Sequence, residues 1–241
     1  MTVTLLAWIF ITQREQFSRI IINTLKRGIW VSIFFALSFS FYVFSITNTT
    51  VADSLLIQGT APIFIILFGW IILREPVRKI SIAALFGILA GISAIIIPSI
   101  RQYGLSGNLF GIGMALAFAS GTIAIRKRRS VNLLPSVALA AVFTIIFSAP
   151  FVENFSLSLK SFAILMYLGV IQLGMAFILF TSWSGKLPTS QTGLIVILEA
   201  ILGPLWVWLF LGEAPQLFTF VGGGIIISTL IVHTMLYYRK M

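Results

Sequence analysis

Few residues in this chain can do chemistry, because only six of its 241 residues are acidic and one is histidine. Among them Glu199 has the position that most demands a reason. It falls about ten residues inside an apolar run, Leu187 to Ala214, which puts it ~15 Å along a helix and near the middle of a ~30 Å hydrocarbon layer. A carboxylate there costs roughly 2.5–3.5 kcal/mol to insert, so it must face a cavity or a partner. No Lys or Arg lies at comparable depth in another apolar run, which disfavours a buried ion pair. Two readings stand side by side: a proton- or substrate-coupled carboxylate in a central cavity, and a neutral carboxyl hydrogen-bonded to a neighbouring helix.

The other candidates for a solute or coupling-ion site are Asp53, Gln58, Thr60, Gln172 and Gln191. Thr50-Val51-Ala52-Asp53 has the form of a capping box, so the favoured reading of Asp53 is a helix cap, with ion coupling as the alternative. Gln58, Thr60 and Gln172 are polar groups within apolar runs; they suit a solute path and helix–helix hydrogen bonds equally. Pro62 and Pro204 each remove a backbone donor inside the membrane and are expected to kink their helices or act as gates. One histidine, His233, and no cysteine leave no transition-metal centre and no thiol nucleophile. No GxxxxGK[ST], HExxH or GxSxG sequence is present, so neither ATP drive nor hydrolase chemistry is expected, and no cofactor is implied.

These residues are carried on membrane-spanning helices. The chain is 59% hydrophobic and 9% charged, against roughly 25% charged in a soluble domain. Apolar runs long enough to span recur at about 29–47, 51–73, 80–98, 108–125, 132–151, 161–183, 189–211 and 216–238, each near the ~20 residues that a crossing needs. Met1 to Thr12 is apolar but too short, and its charges follow it, the reverse of a secretory signal. The net charge of +10 sits in the short links, so it is read as a topology signal and no nucleic acid is expected. Fourteen Lys and Arg fall on one side of the alternating links and only Arg101 and Lys160 on the other. The richer side is cytoplasmic by the positive-inside rule, and so is the C-terminus.

The run around Glu199 has an earlier counterpart. A shift of 138 residues pairs Trp70 with Trp208, Leu73 with Leu211, Glu75 with Glu213 and Asp53 with Gln191. Glu75 then lies at the cytoplasmic face and Glu213 at the external one, so the two copies run in opposite directions. That is an inverted-topology repeat, a build common among secondary transporters. Its halves are residues 1–103, a fragment (1–12) plus three helices, and residues 104–241, with five. By this symmetry the first half is incomplete at its N-terminus, lacking one helix and the start of the next. A wrong start site or a shortened, non-transporting relic is the expectation that follows.

Gly87 to Gly91 is a GxxxG face, Gly113, Ala117 and Gly121 form a second small-residue stripe, and Gly222 to Gly224 a third. Such faces serve close packing inside a bundle or a homodimer.

With these features in order, the chain resembles the drug/metabolite transporter superfamily, specifically ten-helix carriers made of two EamA-type halves. The likeness rests on Leu211-Gly212-Glu213 with Leu198-Glu199 before it, on Ala61-Pro62 and Leu73-Arg74-Glu75, on Gly87 and Gly91, and on Arg126 to Arg129. Departures are the missing first helix, Arg74 where glycine is usual, and Ala200 where the first copy has Pro62. The resemblance implies an all-α, multi-pass integral membrane bundle of two inverted repeats. It also implies a secondary transporter in the cell membrane that exports an amino acid or related metabolite, with the solute and the lipid bilayer as its partners.

Overall fold

A computed structural model of the chain describes residues 1–76, 79–103, 105–127, 133–151, 156, 158–179, 202–210, 212 and 214–238. Every regular element among them is helical: α1 (Thr2–Thr12), α2 (Phe17–Asn23), α3 (Ile29–Asn48), α4 (Val51–Gln58), α5 (Ala61–Leu73), α6 (Lys79–Tyr103), α7 (Ser106–Lys127), α8 (Leu133–Ser148), α9 (Leu159–Tyr167), α10 (202–210) and α11 (Leu217–Tyr238). Seven stretches among the described residues are long and apolar enough to cross a bilayer, and α1 is apolar but short. The eighth expected span, 189–211, lies outside the described residues except for α10. The first span is longer than its apolar run implies. A π-turn at Thr24–Gly28 joins α2 to α3, so helix runs from Phe17 to Asn48 and carries Arg19, Lys26 and Arg27 on its leading turns.

The chain divides into two compact units, Met1–Ser40 with Ala124–Leu187 and Phe41–Ile123 with Pro188–Met241. In the first, α1 lies on α8: Leu5 and Ile9 are buried with Leu134, Val137 and Ala138. Pro135 stands in the first turn of α8, where a missing N–H costs nothing. The span that begins with α9 passes into a π-helical stretch at Leu168–Met175 and keeps mostly apolar side chains outward.

The second unit is built on α6 and α11. Gly91 and Gly222 bring the two backbones together: a Cβ added at Gly222 would stand 2.6 Å from the Gly91 carbonyl oxygen, and one at Gly91 would stand 2.6 Å from Ile226 Cγ1. Gly87 meets Thr229 in the same way. Around this contact Ile88, Ile92, Ile95, Ile226 and Leu230 form a buried cluster with Leu56 and Ile63. The GxxxG face of α6 is therefore spent inside the chain, which corrects the homodimer alternative for that face. On α7, a Cβ added at Gly113 would stand 3.0 Å from the ring of Phe41.

The run 51–73 is two helices. Pro62 has no N–H for the carbonyl four residues back, that of Gln58, and α4 ends at Gln58. Gly59 and Thr60 make the turn, and α5 starts at Ala61 with the proline in its first turn. α5 stops at Arg74, the one described non-glycine residue with positive φ (56°), and Glu75 N–H closes onto the Gly69 carbonyl at 3.2 Å. A left-handed residue at a helix end favours glycine. Gly212, 138 residues later, has the same left-handed conformation (φ 69°) without strain.

Two substitutions test this packing by thermal unfolding in detergent. Gly222→Val should cost about 1–3 kcal/mol, because the Gly91 carbonyl opposite is backbone and cannot yield. Arg74→Gly should gain roughly 1 kcal/mol by relieving the left-handed Arg.

Candidate functional site

Asp53 is held where helix ends converge in the second unit. Thr50 caps α4, accepting the Asp53 backbone N–H at 3.0 Å on its side-chain oxygen. The reciprocal half of a capping box is not made. The Asp53 carboxylate turns inward instead, 2% exposed. Its Oδ1 accepts from Thr219 Oγ1 on α11 at 2.7 Å, and its Oδ2 from Thr49 Oγ1, just past the end of α3, at 3.5 Å. Thr49 Oγ1 lies 3.2 Å from Ser99 Oγ on α6, and Ser99 Oγ accepts from Asn108 Nδ2 on α7 at 2.9 Å. Beside this chain, Ser45 pairs with Ser54 at 2.7 Å and donates to the Gly107 carbonyl at 2.9 Å.

Among the described residues, the carboxylate's side-chain partners are thus hydroxyls. A carboxylate removed from water needs either a countercharge or several directed donors, and this one has donors from two directions. The arrangement suits a group that binds and releases one positive charge, a proton or the cationic part of a solute. Thr219 also lines a cavity of ≈ 290 Å³ with Leu56, Pro204, Trp208 and Gly223, so an apolar recess adjoins the carboxylate's nearest donor.

The other expected residues divide. Gln58 closes α4 at the helix interruption, and its buried Oε1 has no partner. Thr60 is fully buried in the interruption, where its Oγ1 donates to the Ile57 carbonyl at 2.6 Å and satisfies backbone that the break sets free. Gln172 lies in the other compact unit, exposed on the π-helical stretch. Pro204 is the third residue of α10. Glu199 and Gln191 lie outside the described residues. Sequence reasoning missed Thr49, Ser99, Asn108 and Thr219. Their one signal is that all stand at the ends of apolar runs that the charge count puts on the external side. His233, at the far end of α11, is buried and pairs with Ser81 at 3.0 Å.

This helical, span-rich architecture can be set beside known proteins. The EamA-like transporter family matches residues 1–97 and again 105–235. The chain belongs to that family. It is therefore a multi-pass membrane transporter protein of the drug/metabolite transporter superfamily, as the resemblance implied. A protein of Acidianus ambivalens, named as an uncharacterized transporter in the sor 3′ region, is 29% identical over 186 residues, 73% of this chain and 70% of that one. An uncharacterized transporter of Clostridium kluyveri is 20% identical over 202 residues, 78% of this chain and 64% of that relative, so the chain spans less than two thirds of its length. A solved crystal structure with 18% identity superposes with a TM-score of 0.61, covering 99% of this chain and 86% of that one. That likeness is one of fold.

Thr219→Val keeps the side chain's shape and removes the 2.7 Å donor. It should lower stability by about 1–3 kcal/mol, the cost of a stranded buried acceptor, read as a fall in melting temperature of the purified protein. In Asp53→Asn/Thr219→Val the loss should shrink, because the charge that needed the donor is gone.

Proposed function

We propose that the protein is a secondary carrier that exports a small organic solute, such as an amino acid or related metabolite, across the cell membrane. It works by alternating access between two inverted EamA-type halves, residues 1–103 and 104–241, with the C-terminus in the cytoplasm. The observation that carries this reading is Asp53: a carboxylate 2% exposed, at one end of a span, held by hydroxyls and, among the described residues, by no cation. Such a charge in an apolar setting is a functional group by default.

The interrupted helix supports the same reading. Transporter sites form where a spanning helix breaks and frees backbone and side-chain polar groups. Gln58 Oε1, buried and unpaired at the break between α4 and α5, is an acceptor available to a solute. Pro62 sets the break, and Thr60 secures it. Glu199 is the second carboxylate of the proposed pathway, with Gln172 and Gln191 as further polar contacts and Pro204 as a gate beside the recess.

Solute counterflow in proteoliposomes tests the proposal with labelled amino acids and nucleosides. The wild-type chain should exchange at least one of them, Asp53→Asn should exchange at least tenfold more slowly while remaining folded, and Glu199→Gln should lose its pH dependence. Normal counterflow by Asp53→Asn would remove Asp53 from the mechanism. Unchanged rate and pH dependence in Glu199→Gln would do the same for Glu199.

A further inference from the structure

Asn108 has no charge, yet its placement gives it control over one. It is fully buried at the start of α7, its Nδ2 donates to Ser99 Oγ at 2.9 Å, and its Oδ1 has no partner. Those facts allow one consistent direction through the bonds that follow. Ser99 Oγ already accepts from Asn108, so its own hydrogen is free for Thr49, 3.2 Å away. The Thr49 hydroxyl is then left to donate to Asp53 Oδ2. Every bond in the row points toward the carboxylate, and the row favours its negative form.

The opposite arrangement is equally complete. A protonated Asp53 donates to Thr49, Thr49 to Ser99, and Ser99 to Asn108. The last step needs an acceptor, so the amide turns over and offers Oδ1, the atom left unpaired in the first arrangement. Serine or threonine can both donate and accept at any place in such a row, but only an amide at its end supplies a dedicated donor on one side and a dedicated acceptor on the other. We propose that Asn108 is a positioning residue that acts through Ser99 and Thr49 to set the charge state of Asp53, its amide reversing when Asp53 takes up or gives up a proton. The proposal rests on the reading of Asp53 as the coupling carboxylate.

The groups that face Asp53 from the packed elements are Thr49, Ser99 and Thr219, all uncharged, with Asn108 behind Ser99. The next charged residues along those segments, Arg101 and Glu213, have side chains outside the described residues. Ser45 is an internal control. It is buried in the same cluster and ties α3 to α4 and to the start of α7, but no bond of the row passes through it.

Infrared spectroscopy of the full chain in lipid nanodiscs reads the carboxyl C=O band directly and needs no transported solute. The band lost in Asp53→Asn identifies the group, and its amplitude is followed over roughly pH 4 to 10. Asn108→Leu and Ser99→Ala each take a donor from the row that ends on the charged form and an acceptor from the row of the neutral form. The first loss is the larger, because charge-assisted hydrogen bonds are roughly twice as strong as neutral ones. Both should hold the Asp53 proton at threefold to tenfold lower proton concentration, about the effect of one hydrogen bond. Ser45→Ala should titrate with the wild type, and Asn108→Gln should restore the wild-type midpoint at least in part. Ser99→Ala leaves the proposal testable if Asn108→Leu does not fold. Wild-type titration in both variants would overturn it, as would an equal shift in Ser45→Ala or the absence of any titrating band assignable to Asp53. Failure of counterflow with the expected band shifts would instead count against the carrier reading alone.

Discussion

The structure around α4 depends on one constraint: a carboxylate withdrawn from water must be given hydrogen bonds or a countercharge. Asp53 sits where neither lipid nor solvent can supply them, 2% exposed, and its donors must come from neighbouring helices. Thr219, Ser99 and Asn108 come from elements far from Asp53 in sequence, Thr49 from just before α4, and they meet because their polar ends have nowhere else to go. In hydrocarbon there is no hydrophobic force between apolar helices, so polar contacts and close van der Waals packing must choose neighbours. The cluster supplies the first and the glycines of α6 and α11 supply the second. Gly91 and Gly222 let the two backbones touch, which sets Ser99 near the end of one helix and Thr219 at the start of the other within reach of the same carboxylate.

What could be read from the residues alone follows from what each signal depends on. Spanning helices depend on length and apolarity, both local, so the spans from α3 to α9 and α11 were legible with boundaries displaced by a turn or a few. The exception was the entry to α3, where Lys26 and Arg27 argued for a link and the helix runs through them on a π-turn. Thr50 was legible as a cap because capping is local. The destination of the Asp53 carboxylate was not, because a capping box and an inward turn share the same sequence and differ only in Thr219, 166 residues away. The glycine faces were legible as close contacts, but whether they met a second copy or α11 depended on tertiary structure.

The helix interruption shows how the two kinds of signal combine. Pro62 leaves Gln58 C=O without its usual donor, a local fact, yet a kinked continuous helix would also satisfy it. The full break is held by Thr60, whose hydroxyl takes the Ile57 carbonyl, and by Gly59, which has no side chain to place at the turn. Gln58 is left with a buried unpaired oxygen as a result. A sequence that spends polar residues so sparingly is not expected to strand one without use, and the broken helix is the place where a transporter presents such groups.

These features make α4 unlike the other described spanning segments. Only the turn bonds from Thr60 N–H to the Ile57 carbonyl and from Ile63 N–H to the Thr60 carbonyl carry it into α5, and its start is held by side chains: the Thr50 cap, the Asp53 bonds and the Ser54 contact with Ser45. Breaking a continuous helix would cost several backbone bonds in a medium with no water to replace them. The polar bonds at the start of α4 depend on the charge of one group, while Leu56 packs the segment into the α6–α11 cluster. On the proposed reading, a change of charge at Asp53 alters the bonds at the start of this eight-residue segment, while Gly91 and Gly222 hold α6 to α11 through contacts that carry no charge.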